Sequence, residues 1–219
     1  MANDRAISIS GFVFAVATFV GLLLLIGGVA AGSTNNEEAA RWLNDSGHRA
    51  RMLVGCYVMC GGAVAFFVFS SALIRRLRGA GAPSLAADAA QVAAIAFVAL
   101  TLAAAIAMAS GAYAVSSDVE PKPIDPGAVR MSTLGFAIWA IPAALAASAF
   151  VVSVSIGALA REALPRWLGL VGLLVAVVML FGIMFLPSLA VLVWAALVAV
   201  VTVVRPESKF VARTTQALA

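Results

Sequence analysis

Six long apolar stretches, at about 11–31, 52–74, 90–114, 132–157, 167–185 and 188–204, contain no Asp, Glu, Lys or Arg. Each is about long enough to cross a hydrocarbon core of ~30 Å as a helix. The expected architecture is an all-α membrane protein with one transmembrane domain over residues 1–219. It is a six-helix bundle with both termini cytoplasmic, closed by a tight final helical hairpin.

Composition agrees: 63% of residues are hydrophobic and 11% charged, against roughly 25% charged in soluble domains. Pumps, proton relays and ion pathways carry ionisable residues inside their spans, and these stretches have none. The net charge of +4 does not imply nucleic acid. The basic residues cluster in short connections at span ends, with no basic stripe, zinc-finger spacing or helix-turn-helix pattern. Twelve Arg against two Lys, with abundant Ala, suggest a GC-rich bacterial genome such as that of an actinobacterium, and hence a bacterial plasma membrane. Stretch 11–31 exceeds a signal core of about 7–15 residues, and only Arg5 precedes it. It reads as an uncleaved first span rather than a leader cut after Val29-Ala30-Ala31.

Charge orients the spans. With a cytoplasmic N-terminus, the inner segments hold Arg5, Arg75, Arg76, Arg78, Arg161, Arg166, Arg205, Lys209 and Arg213. The outer segments hold Arg41, Arg49, Arg51, Lys122 and Arg130. Nine against five is the positive-inside bias, with the Arg75–Arg78 cluster as its strongest anchor. Residues 167–204 form one apolar run, broken at Leu186-Pro187-Ser188, where proline removes a helix donor and disfavours helix before it. A turn of about three residues is expected there. Pro142, within the fourth span, breaks the bond to the Ile138 carbonyl and predicts a kink.

Helices in lipid associate by close packing, which favours small residues at four-residue spacing. Ala99, Ala103, Ala107 and Gly111 have that spacing, as do Ala140, Ala144 and Ser148, and Gly28 with Gly32. These faces predict tightly packed third and fourth spans. Trp167 and Tyr113 fit the interfacial aromatic belt. Trp139 and Trp194 lie deeper. They either line an outer ligand cavity with Pro142 or pack as ordinary apolar residues. The two halves show no repeat, since their connections differ in length and no motif recurs.

His48, Met52, Cys56 and Cys60 follow one another at four-residue steps. Imidazole and soft sulfur suit Cu(I), zinc or a haem iron. Each step drifts by about 40° around a helix, however, and no second span offers His or Cys. The alternative is cysteine as a small apolar residue, and no cofactor is predicted. Before this stripe, Asn35 or Asn36 caps a short surface helix with Glu37 and Glu38 in its first turn. Its Trp42 and Leu43 are placed to dip into the interface. Pro121–Gly127 reads as a stiff outer segment, a possible lid, whose neighbours Asp118 and Glu120, with Asp125, are candidates to pair with Arg49 or Arg51. Gln91, Thr101, Ser148, Ser153 and Ser155 are expected to bond between helices. No nucleophile–base pair, P-loop, dinucleotide fingerprint or HExxH occurs.

Leu164-Pro165-Arg166-Trp167-Leu168-Gly169, followed by a Gly-containing apolar run, resembles the segment before the last hairpin in small six-span bacterial membrane proteins of unknown function. That resemblance implies the six-span layout and no activity. Three functions follow as expectations. The first is a non-enzymatic accessory or scaffold subunit, whose partners are the bilayer and another membrane protein or a second copy. The second is a carrier for a lipophilic molecule. The third is a metal or haem site at the outer end of span two.

Overall fold

A computed structural model describes residues 2–32, 36–117, 126–181 and 186–204. The helices are α1 (Ala2–Gly32), α2 (Asn36–Asn44), α3 (Ser46–Gly79), α4 (Ser84–Ser117), α5 (Pro126–Ile138), α6 (Ala144–Arg161), α7 (Arg166–Met179) and α8 (Ala190–Val204). A π turn, Trp139–Ala143, joins α5 to α6, and a 3₁₀ turn, Leu186–Leu189, precedes α8. No strand occurs among the described residues. Five helical segments are long and apolar enough to cross a membrane, so the chain is a multi-pass membrane protein by length and composition. Its outward faces are apolar: Phe12, Phe19, Val64, Ile106, Leu174 and Val193 are all exposed.

The helices form a closed circuit, α1–α3–α4–α5/α6–α7–α8 and back to α1. One helix pair dominates. Along α1, Asp4, Gly11, Phe14, Thr18, Gly21 and Gly28 meet Arg76, Phe69, Phe66, Gly62, Met59 and Met52 of α3. Steps of three, four or seven in one helix match equal steps back along the other, as in an antiparallel heptad seam. Each glycine faces a larger side chain, so small meets large at these crossings. Dispersion between closely approaching backbones supplies the cohesion that water exclusion cannot supply in lipid.

An aromatic cluster fills the middle of the circuit. The Phe66 ring lies 4.7 Å from Phe14, 4.6 Å from Phe97 and 5.1 Å from Phe150, centroid to centroid. Trp194 extends it, edge-on to Phe69 at 6.4 Å and to Phe150 at 6.1 Å. Buried serines then tie neighbours together. Ser8 donates to Ala199 O at 2.8 Å, Ser132 to Met108 O at 2.8 Å and Ser148 to Ala176 O at 2.9 Å. Gly135 beside Ser132 lets α5 lie directly on α4, since a Cβ there would stand 2.5 Å from Met108 N.

One end of the bundle gathers the start of α1, the α3–α4 turn and the α6–α7 turn. Arg76 pairs with Asp4 at 3.0 Å and donates through Nε to Ala163 O at 2.9 Å. Arg5, Arg75, Arg78, Arg161 and Arg166 also belong to these segments, which makes this the basic end of the bundle. The α3–α4 connection is much shorter than the gap between the apolar stretches 52–74 and 90–114, because both helices extend past those stretches. Gly81, at φ +74°, sits where the helix reverses, with Gly81 N donating to Arg78 O and Ala82 N to Leu77 O, both at 3.0 Å. That pair of bonds is a Schellman closure. Gly81→Ala is therefore expected to cost about 1 kcal/mol, because only glycine takes a left-handed φ without a Cβ penalty. Thermal unfolding in detergent reads it, and no change would mean that the turn is not held in this form.

Two boundaries differ from expectation. Within the apolar run 167–185, α7 ends at Met179 with a turn at Leu180–Phe181, and residues 182–185 lie outside the described residues. At 14 residues α7 is about 21 Å long, short of a full crossing on its own. The link to α8 also exceeds three residues, because Leu186–Leu189 forms a 3₁₀ turn around Pro187 before α8 begins. The irregularity expected at Pro142 is present as the π turn, whose longer-range bonding accommodates a residue with no N–H to donate.

Candidate functional site

The far end of the bundle carries α2. Asp45 caps α3 in an extended conformation, its carboxylate accepting from His48 N at 2.9 Å. That bond holds the exposed Asp45 carboxyl below the usual carboxylate range. The His48 ring stacks on Trp42, 4.4 Å between centroids and 10° from parallel, with Nδ1 3.2 Å from Trp42 O. Trp42 also lies across α1, where a Cβ on Gly27 would meet its ring at 3.1 Å. Arg49 ends α2 by donating to Leu43 O at 2.8 Å and Asn44 O at 2.7 Å. Arg51 reaches Leu23 O at 3.0 Å. Leu43 is buried and Trp42 half-buried. The short helix therefore turns both inward onto the bundle, not outward into the interface, because Gly27 offers a flat seat for the indole. The acids expected to pair with Arg49 and Arg51, and the Pro121–Gly127 segment, lie outside the described residues apart from the first turn of α5.

The four-spaced stripe does not converge. His48 is engaged with Trp42, Met52 is buried against Gly28 of α1, and Cys56 and Cys60 are half-buried free thiols further along α3. Among the described residues no three His, Cys, Asp or Glu side chains come together as a ligand set. The drift of about 40° per step carries the stripe around α3, and α1 meets it with glycine and leucine.

Trp194 is 1% exposed and belongs to the aromatic core, not to an outer cavity. Trp139 is also buried, at the opening of the π turn, with Pro142 half-buried beside it. The reason for the correction is level. Ser8 meets Ala199 near the basic end, so Trp194, five residues before, lies about 7–8 Å further in, near the level of Phe14.

The small-residue faces divide. Ala140, Ala144 and Ser148 are buried, as are Ala107, Gly111 and Gly28. Ala99 and Ala103 are exposed, facing outward from the bundle of described residues. On α4 the buried face runs instead through Ala87, Ala90, Ala94, Phe97, Thr101, Ala104 and Met108. Gly32 ends α1, and its surroundings lie outside the described residues. Of the polar residues, Ser148 bonds to another helix, whereas Ser153 bonds to Ala149 O of its own. Gln91 accepts from Arg78. The hydroxyls of Thr101 and Ser155 have no partner among the described residues; Ser155 Oγ and Trp194 Nε1 both crowd Gly172.

Sequence reasoning missed Asp4–Arg76, the one buried ion pair among the described residues. Both lie outside the apolar stretches, on helices that extend past them. A scan against protein-family models and searches of curated proteins and of solved structures found no match.

Proposed function

We propose that this chain is a six-span protein of the bacterial plasma membrane, both termini cytoplasmic, that performs no chemistry and serves as an accessory or scaffold subunit. Its partner is another membrane protein or a second copy. The observation that carries the reading is the outward face of α4. Ala99 and Ala103 lie there one turn apart, while the bundle's own contacts use the opposite side of the helix. Small outward residues let a second helix approach closely in lipid. The interior supports the same reading. Aromatic and glycine packing occupies it, and its serine hydroxyls mostly bond to backbone carbonyls. The side assignment rests on the nine-to-five basic bias, and the six-span count on completing a crossing between α7 and α8.

The test is gentle extraction from native membranes and mass spectrometry of what co-purifies. Ala103→Phe is expected to leave the bundle's unfolding temperature unchanged and to reduce recovery of a stoichiometric partner, or of the dimer, by about five-fold, the effect of roughly 1 kcal/mol. Isolation of the wild-type chain alone, as a monomer, would remove this function.

A further inference from the structure

A groove of about 280 Å³ opens on the outer surface of the bundle between α3 and α4, near the basic end. Its polarity changes along its length. The wall nearer the bundle centre is Phe67 and Ile95, each 53% exposed, and the rim nearer the basic end is Arg75, Arg78 and Gln91, with Ser71 between. Phe67 and Arg75 are eight residues apart on one helix, hence about 12 Å apart along its axis. Arg78 is held by Asp88 at 2.9 Å and Gln91 at 2.8 Å. Arg75 is exposed and has neither a carboxylate nor a hydrogen-bond partner among the described residues. The neighbouring Arg76 turns away to Asp4. Two guanidinium groups against one carboxylate leave the rim one positive charge in excess, beside a serine hydroxyl.

We propose that this groove binds an anionic glycerophospholipid of the leaflet at the basic end. The phosphodiester sits at Arg75 and Ser71, and one acyl chain lies along Phe67 and Ile95. The inference rests on the chain spanning a membrane and is independent of any accessory role. Charge complementarity selects the anion: one phosphodiester charge balances the excess at the rim, and a basic residue near an anionic membrane surface is worth about 1 kcal/mol. The apolar wall selects a lipid over a free anion, because inorganic phosphate has nothing to place against Phe67 and Ile95.

The full chain, purified in detergent, is titrated with phosphatidylglycerol, with phosphatidylcholine of the same acyl chains, and with inorganic phosphate, and bound lipid is counted by native mass spectrometry. Phosphatidylglycerol is expected to be retained over phosphatidylcholine. Arg75→Gln is expected to lower that preference by about five-fold, the conversion of one such cation. Ile95→Trp, which fills the groove, reduces retention of both lipids, and Arg5→Gln, a cation outside the groove, changes neither. Equal retention of the two lipids, an Arg75→Gln protein that binds as wild type, or full displacement by millimolar phosphate would each overturn the proposal. The last would make the site one for a free anion.

Discussion

Asp4→Ala is expected to be among the most damaging single changes outside the apolar stretches, lowering the unfolding free energy by about 3–5 kcal/mol. Asp4 and Arg76 lie 3.0 Å apart with side chains 7% and 10% exposed. Removing the carboxylate takes the 3.0 Å anionic partner from a guanidinium buried among helices, and that loss against the desolvation already incurred is the main cost. The change also frees the start of α1, where Asn3 Nδ2 donates to Ala72 O at 3.2 Å. The pair is not expected to stabilise the fold in absolute terms. A double replacement, Asp4→Leu with Arg76→Met, removes both charges and is expected to recover most of the loss. Asp88→Ala, which breaks the exposed Arg78 pair, serves as the contrast, with an effect of about 0–1 kcal/mol. Denaturant unfolding of the four proteins in one detergent decides it. If Asp4→Ala and Asp88→Ala cost the same, water reaches Arg76 and the pair is a surface bridge.

The second large effect concerns Gly21. A Cβ there would stand 2.8 Å from Met59 N, 2.8 Å from Met59 Cβ and 3.0 Å from Gly55 O. Two of those atoms are backbone, so the helices must separate. Gly21→Ala is expected to cost about 1–3 kcal/mol, and Gly21→Leu to prevent recovery of folded protein. Gly28 tests the argument from the same seam. Its added Cβ would meet the flexible end of Met52, with Sδ at 3.0 Å, so Gly28→Ala is expected to be milder and to be relieved by Met52→Ala. Gly61 meets nothing within 4 Å, and Gly61→Ala is expected to stabilise by up to about 1 kcal/mol through helix propensity. Ranking the three by thermal unfolding reads backbone approach directly. Equal effects at 21, 28 and 61 would show that α1 and α3 do not touch in this register.

Much of the architecture was legible because lipid imposes long charge-free runs. The expected spans 52–74, 90–114 and 132–157 fall inside helical segments of 32 to 34 residues, 11–31 falls inside α1, and 188–204 falls inside Leu186–Val204. The short helix from Asn36 announced itself through its acidic first turn, and Pro142 through its missing donor. Helix extension was not legible. α1 starts at Ala2 and α3 runs to Gly79, because the polar residues past the apolar runs are ordinary helix formers and nothing in their hydropathy marks an end. The short α7 was hidden for the opposite reason, since residues 167–185 are apolar throughout and hydropathy does not separate helix from turn there.

The choice of buried face was beyond the sequence for a physical reason. Amphipathic contrast tells a reader which side of a water-soluble helix is inside. Here Phe14 is buried and Phe12 exposed, Ala104 buried and Ala103 exposed, with no difference in polarity to separate them. The seam of Gly21, Gly28, Gly55 and Gly62 is written in residue size, and its meaning depends on which side chain stands opposite. The four-spaced His, Met and Cys residues left ligand set and apolar packing both open, and only the placement of α1 against Met52 shows what one of them touches. For Trp194, cavity wall and packed core were both open until Phe69 and Phe150 were placed around it. The sequence by itself therefore determined that the chain is helical, apolar over long runs and basic near one set of turns, because those properties are local. Only the tertiary structure decided which faces meet, that Asp4 finds Arg76, and that Arg75 is left at the mouth of a groove, because each depends on the register between helices far apart in the chain.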